Sequence, residues 1–278
     1  MLVTGAGGRT GSLVFEQLLA DGRYSARGLV SSEASKAKLV KRTACEASAV
    51  FVGDVTDPAA LETALEGVDA VVVLTSAVPS LKKRSLLPFL VRNKLMGDKS
   101  VRLGFRWKRG QTPEEVDYKG GVQQVDAAVR AGVRKLVWVG SMGGCDESNF
   151  LNTIGADEGD DKSGKILVWK RKAEMHLAEQ EALDYTIVHP GGLTKDAGGE
   201  REIVVGVDDS LLKRKYRAIP RADVATVVVQ CIDAPEASNM AFDVCTNKPE
   251  EGTTPTTGIA PLLAGLEAYD YSIAVPTI

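Results

Sequence analysis

Apolar residues fall along this chain in short β-rich runs separated by longer stretches with helical spacing. The runs lie at residues 1–4, 24–30, 48–53, 68–75, 134–140 and 184–189, and the helical patterns at about 9–21, 33–41, 58–66, 113–131, 166–181 and 221–233. That alternation predicts βαβ units, hence a parallel sheet covered by helices. Val71, Val72, Val73 and Leu74 follow one another without a polar residue, the pattern of a central strand buried on both faces. Asp57-Pro58 and Thr112-Pro113 are helix-start signals, a capping side chain followed by a residue whose missing N–H loses nothing in the first turn. Right-handed crossovers then make a doubly wound α/β sheet the expected architecture, with ligands at the carboxyl ends of its strands.

Two segments break the alternation. Residues 78–112 stand as an insertion after the fourth strand, and residues 190–220 form a loop-rich region carrying Gly191, Gly192, Gly198 and Gly199. Excursions of this length are usually functional or disordered. A further strand is expected around Ala241–Val244, followed by a C-terminal extension at 250–278 on the substrate side. The 278 residues fit a single domain, with 44% hydrophobic content to fill its core.

The net charge of −3 lacks the basic field of a nucleic-acid binder. Cys45, Cys145, Cys231 and Cys245 are scattered without a Cys-x-x-Cys pair, so neither a metal site nor a disulfide framework is expected. No run approaches the roughly eighteen apolar residues of a membrane span. The chain opens on its first strand, so no signal or transit peptide is expected in the sequence as written, although a cleaved presequence leaves no trace.

Chemistry concentrates where strands end. The first run passes into Thr4-Gly5-Ala6-Gly7-Gly8-Arg9-Thr10-Gly11 and then a helix, the context in which glycine spacing makes a phosphate cradle. Gly5 permits the sharp turn, Gly7 and Gly8 leave backbone bare for a pyrophosphate, and Gly11 lets helix and strand approach. Ser31 and Ser32 stand where a carboxylate would accept bonds from a ribose 2′-hydroxyl. Without that carboxylate a 2′-phosphate is permitted, and Arg9, with Lys36 and Lys38 nearby, could pair with it, which favours NADP over NAD. The alternative is that these cations are solvated and that Glu33 reaches the ribose. Asp54 is placed to meet the adenine amine and Val55 its ring, or Asp54 simply caps the next helix. Thr75, Ser76 and Ala77 close the fourth strand with small side chains that admit a cofactor.

Taken with Gly53-Asp54-Val55-Thr56-Asp57, Leu74–Pro79, Val139–Gly144, Ile166–Glu174 and Pro190–Leu193, the glycine loop resembles the atypical branch of the short-chain dehydrogenase/reductase superfamily, near NmrA-like and plant-type NAD(P)-binding Rossmann proteins. The resemblance spans most of residues 1–250. It implies a bound dinucleotide whose nicotinamide lies near Ser141, Lys170 and Pro190, with Gly191, Gly192 and Leu193 completing the wall. Active members use a Ser to hold the carbonyl, a Tyr as general acid and a Lys one turn later. Aligned on Lys170-x-x-x-Glu174, the tyrosine position holds Ile166, which cannot donate a proton. A missing general acid forfeits about 10²–10⁴ in rate unless another group serves. His189, ending the sixth strand beside Pro190, is the candidate substitute; Tyr118 and His176 are more readily packing and surface residues.

The insertion carries ten cations, Lys82, Lys83, Arg84, Arg92, Lys94, Lys99, Arg102, Arg106, Lys108 and Arg109, against the single acid Asp98. Leucines and Phe89 interleave with them, as in a basic amphipathic helix suited to an anionic membrane surface or an acidic partner. The competing reading is a lid over the substrate cleft, with Phe105 and Trp107 placed to stack on a ligand. Expected activity is NADP(H)-dependent reduction of a small carbonyl or enone. The alternative is a non-catalytic NADP(H)-sensing regulator or assembly factor. The family resemblance makes the chloroplast stroma or the cytoplasm the expected compartment.

Overall fold

The computed structural model describes residues 1–95, 97, 103–156, 164–251 and 254–273. The first half runs β1 (Leu2–Thr4), α1 (Gly11–Ala20), β2 (Arg27–Val30), α2 (Glu33–Thr43), β3 (Val50–Val52), α3 (Pro58–Leu65) and β4 (Ala70–Val73). The insertion supplies β5 (Ser80–Leu81), the short helix α4 (Leu86–Phe89), which passes into a π-helical stretch Leu90–Leu95, and β6 (Phe105–Arg106). A π-helical turn Glu114–Lys119 leads into α5 (Gly120–Arg130), then β7 (Lys135–Val139), α6 (Ile166–Ala178) and β8 (Asp184–Pro190). The remainder is β9 (Gly192–Thr194), β10 (Ile203–Gly206), β11 (Ala218–Pro220), α7 (Arg221–Asp233), β12 (Met240–Thr246) and α8 (Ala260–Leu263).

Eight strands form the main sheet in the order β10-β12-β8-β7-β4-β1-β2-β3, parallel throughout except for the edge pair β10–β12. Strand β1 pairs with β2 on one side and β4 on the other, Leu2 lying opposite both Arg27 and Val71, so strand order reverses at β1. A cleft opens at the carboxyl end of such a reversal because the two connections leave toward opposite faces.

Side-chain alternation fills both faces. Val3, Val72, Val137, Val188 and Phe242 point to the side of α1 and α7, meeting Val14, Phe15, Leu18, Val224 and Val228. Their neighbours Leu2, Val71, Leu136, Trp138 and Ile187 point to the side of α3, α5 and α6, meeting Leu61, Leu65, Val125 and Leu177. Helix ends follow their caps: the Ser32 hydroxyl accepts from Ser35 N at 3.2 Å, and Asp57 accepts from Ala59 N at 3.1 Å beside Pro58.

Three regions hold more order than the hydrophobic pattern foretold. Within 190–220, β9 pairs with β11 in a small parallel sheet and β10 closes the main sheet edge. These strands are three or four residues long, too short for periodicity to reveal. In the C-terminal extension, Ile259 and Leu263 bury into the α1/α7 side while Tyr269 and Tyr271 pack toward the other. The insertion begins and ends in the β5–β6 hairpin, and the Trp107 indole lies over Gly155, so Trp107 packs on protein and not in the cleft. Asp98, Lys99 and Arg102 lie outside the described residues, as does the side chain of Lys94.

Helix α1 starts so near the turn after β1 that a Cβ on Gly11 would stand 2.2 Å from the Gly5 carbonyl oxygen. Backbone cannot yield as a flexible side chain does. Gly11→Ala is therefore expected to cost at least about 2 kcal/mol and to lower the midpoint of thermal unfolding by several degrees. Differential scanning calorimetry that found wild-type stability would refute this tight approach.

Candidate functional site

The turn from β1 to α1 is laid out as a cradle of amides. Gly8 N donates to Gly5 O at 2.9 Å, and Ser12 N donates to Gly8 O at 3.0 Å, while Gly7, Gly8 and Arg9 are exposed. Thr10 occupies the N-cap of α1 without giving it a side-chain bond, and the first turn holds no acid. The N-terminal donors thus lack the side-chain acceptor and the counter-charge that α2 takes from Ser32 and Glu33, a start open to an anion. A phosphate fits where no side chain intervenes.

Beneath the cradle, the reversal point is tied by one buried amide. Thr4 Oγ1 donates to Gln124 Oε1 at 2.6 Å, and Gln124 Nε2 donates to Thr75 Oγ1 at 3.1 Å and to Gly120 O at 2.9 Å. Gln124 on α5 therefore joins the ends of β1 and β4. Two turns earlier, Asp117 is 2% exposed; its Oδ2 accepts from Ala77 N at 3.1 Å and its Oδ1 lies 2.7 Å from Lys170 Nζ. Lys170, on α6, is thereby tied to the loop of Thr75, Ser76 and Ala77. An ammonium has three donors, so the pair leaves Lys170 able to bind a ligand hydroxyl as well. Sequence reasoning passed over Asp117 and Gln124, although their separation of seven residues puts both on one helical face.

The adenine-side candidates divide. Ser31 is exposed at the end of β2, whereas Ser32 is engaged as the α2 cap and also donates to Ser35 Oγ at 3.0 Å. Asp54 is exposed and caps nothing: its Oδ1 accepts from Thr56 N at 2.9 Å and Thr56 Oγ1 at 2.8 Å, while Asp57 caps α3. Val55 departs from expectation. It is 9% exposed and packs in the core on the α3/α5 side, so its bulk faces protein and not an adenine.

At the other side of the cleft, Ser141 follows β7 half-buried, its hydroxyl donating to Met142 O at 3.1 Å. The preceding Gly140 lets α6 come close, since a Cβ there would meet Glu174 Oε1 at 2.1 Å. Pro190 O accepts from Met142 N at 3.2 Å, joining the ends of β7 and β8. Gly191 and Gly192 then lead into β9, whose Leu193 is 39% exposed. Arg221 opens α7 beside β9 and donates to Thr194 O at 2.7 Å. Helices α1 and α7 lie together, Gln17 Nε2 donating to Thr226 Oγ1 at 3.1 Å. Burial and the neighbouring Arg9 charge lower the pKa of Arg221, and among the described residues neither guanidinium has a carboxylate partner. Two cations share the cradle mouth.

His189 does not stand in the cleft as a free proton donor. It is 1% exposed, with Nε2 3.2 Å from Glu174 Oε2, Nδ1 3.4 Å from Asp243 Oδ1, and the Tyr269 ring 4.8 Å from its own between centroids. Burial lowers its pKa, but Glu174 and Asp243 outweigh that and push it up to about 10. Its proton is held between carboxylates. Arg171 is 1% exposed; it donates to Asp270 O at 3.1 Å and Ile273 O at 2.7 Å and underlies the rings of Tyr269 and Tyr271. Tyr269 Oη lies 3.3 Å from Cys145 Sγ, and burial raises that thiol to about 11. Ile166 begins α6, Tyr118 stacks on Trp169 at 5.6 Å, and His176 bonds Asp126 at 2.7 Å.

A doubly wound sheet with an uncapped helix over a glycine turn at its reversal defines a dinucleotide-binding Rossmann protein. Residues 5–235 match the family model described as NAD(P)H-binding, and the chain belongs to that family. It is 42% identical over 261 residues to sanguinarine reductase of Eschscholzia californica, covering 90% of this chain and 89% of that one. It is 44% identical over 257 residues to an uncharacterised chloroplastic protein of Arabidopsis thaliana, covering 92% of this chain and 72% of the other. A short-chain dehydrogenase/reductase of the wide type from Veillonella parvula, solved in complex with NADP, superposes with a TM-score of 0.60 at 14% identity, covering 92% and 97% of the two chains. The chain is thus an NAD(P)H-binding Rossmann protein, related over most of its length to a plant reductase.

Two outcomes follow from the buried charges. Removing the carboxylate in Asp117→Ala leaves Lys170 buried without its counter-ion, a loss expected to be about 3–5 kcal/mol by chemical denaturation, partly recovered by adding Lys170→Met. His189 carries a proton in the folded state that the unfolded chain, titrating near 6.5, has released by pH 7. That contribution is complete below about pH 6.5 and is lost as pH rises toward 10, at up to about 1.4 kcal/mol per unit. The thermal midpoint should fall from pH 7 to 10 in wild type and stay flatter in His189→Gln; parallel profiles would mean the imidazole is neutral.

Proposed function

We propose that this protein is an NADPH-dependent reductase of a small carbonyl or enone, acting in the chloroplast. The observation that carries the reading is the α1 N-terminus, with its bare glycines and, at its mouth, the guanidinia of Arg9 and Arg221, which have no carboxylate partner among the described residues. Two like charges in one place gain most from a polyanion between them. The missing carboxylate at Ser31 supports the 2′-phosphate form of the coenzyme, since a carboxylate there would repel it. Bound NADPH supplies the hydride. The name of the Eschscholzia californica relative supports a reductase, and the chloroplastic label of the Arabidopsis thaliana relative supports the compartment.

In this reading Gly5, Gly7, Gly8, Thr10 and Gly11 shape the turn that holds the pyrophosphate, with the Gly8 N–H already given to Gly5 O, and Arg9 meets the phosphates. Lys170, fixed by Asp117, holds the nicotinamide ribose. Thr75, Ser76 and Ala77 form one wall, with Pro190, Gly191, Gly192 and Leu193 opposite. Ser141 turns its hydroxyl from Met142 O toward the substrate oxygen and polarises it. Ile166 supplies no acid, and His189 keeps its proton, so protonation of the product oxygen draws on Ser141 and water. That deficit favours a second reading, an NADP(H)-sensing regulator that binds coenzyme without turnover.

Calorimetry on the purified chain should show NADPH binding at least about tenfold tighter than NADH, with the difference narrowed in Arg9→Ala. NADPH oxidation followed across carbonyl and enone substrates should fall about 10²-fold in Ser141→Ala, through kcat more than KM. Absence of NADPH binding would end both readings; binding without turnover on any acceptor would leave the regulator.

A further inference from the structure

The insertion is held at its base and open on its outer side. Lys82 N donates to Gly104 O at 2.8 Å, Gly104 N donates to Ser85 Oγ at 2.9 Å, and Ser85 Oγ donates to Lys82 O at 2.7 Å. Trp107 anchors the returning strand on Gly155. From this base rises the helical stretch of α4 and its π-helical continuation. Leu86, Leu87, Leu90 and Val91 are 41%, 70%, 37% and 39% exposed. At positions i, i+1, i+4 and i+5 they form one apolar stripe, and Val78, 73% exposed, lies just before the hairpin. Exposed apolar side chains in such a row mark a contact surface.

Charge tells what the contact is. Lys83 and Arg84 lead directly into the stripe and are exposed, as are Arg106, Lys108 and Arg109 on the returning strand, and among the described residues none of the five forms an ion pair. The whole of 78–112 holds one acid, in a chain whose net charge is −3. A specific protein interface engages about twenty to thirty residues a side, far more than this stripe offers. A bilayer surface asks less: a few aliphatic side chains at the headgroup boundary and a handful of cations near anionic lipid. Among the described residues no helix is long and apolar enough to cross a membrane, so any such contact is peripheral.

We propose that this face docks on an anionic lipid bilayer, with Leu86, Leu87, Leu90 and Val91 entering the headgroup boundary and the flanking cations set among the phosphates. Docking would bring the cleft beside the end of β4 to the lipid surface, because the insertion starts where Ala77 and Val78 leave that strand. Substrates dissolved in the bilayer would then reach the cleft without crossing water.

The test is co-sedimentation of the purified full chain with phosphatidylcholine vesicles, with and without about one-third phosphatidylglycerol. The bound fraction on the anionic vesicles should exceed that on neutral ones by about tenfold and fall in about 0.5 M salt. Leu87→Asp paired with Leu90→Asp should abolish pelleting, and so should Lys83→Glu paired with Arg84→Glu, while unchanged NADPH affinity shows that each variant is folded. If NADPH binds no form of the chain, an unchanged thermal midpoint serves that purpose, and the lipid assignment is judged apart from the coenzyme. Equal pelleting on both vesicle types, pelleting on neither, or retention by both variants would overturn the proposal. Self-association in sedimentation velocity that Leu87→Asp removes would give the stripe to a second copy of the chain and overturn it likewise.

Discussion

The structure depends on how closely α1 can begin against the turn that leaves β1. Because Gly11 has no side chain, the first turn of that helix lies over Gly5, and the positive end of its dipole stands at the end of the strand. Fixed dipoles aimed from one place at an anion attract it without the reorganisation that water would need. Everything around the turn serves to keep this arrangement in position. Gln124 fastens the ends of β1 and β4, and Asp117 fastens the loop after β4 to Lys170 on α6. The cradle is therefore braced from the opposite face of the sheet, by side chains of α5 and the π-helical turn before it.

The second half of the cleft is braced by charge. Arg171 and Glu174 on α6, His189 near the end of β8 and Asp243 opposite it on β12 place two cations and two carboxylates in the interior. Burying any one alone would carry a large desolvation penalty, and together they are neutral. The C-terminal residues complete the enclosure, since Tyr269 covers His189 and backbone carbonyls of Asp270 and Ile273 receive Arg171. A segment that composition left unplaced thus shields an ionic cluster from water. The same cluster encloses His189, which is 1% exposed with a carboxylate at each ring nitrogen, so its neighbours favour the imidazolium.

What could be read from the chain follows a physical divide. The parallel strands, their helices and the glycine turn were legible because each is a local pattern of apolar spacing or backbone permissiveness. Asp117, Gln124 and Asp243 were not, because their importance comes from partners 40 to 120 residues away along the chain. Each sits in a stretch whose periodicity is satisfied by any residue of similar helix or strand preference. Val55 shows the converse: its position after Asp54 suggested a ligand contact, yet the space beneath it belongs to Gly120 and the core. Short strands such as β9 and β11 escaped notice because three residues cannot display a period.

Replacement of the family tyrosine by Ile166 bears on what the cleft can transform. With Lys170 balanced by Asp117 and His189 balanced by two carboxylates, the groups left to meet a substrate are the hydroxyls of Thr75, Ser76 and Ser141, which donate bonds but surrender protons poorly. Such a site stabilises negative charge only weakly as it forms on an oxygen. In the proposed reductase it would suit acceptors that spread the charge after hydride addition, as a conjugated enone does, over those that concentrate it on one alkoxide. The absence of an acid at residue 166 is then a statement about substrate as much as about rate, and it fits a fold that spends its buried charges on holding the cleft together.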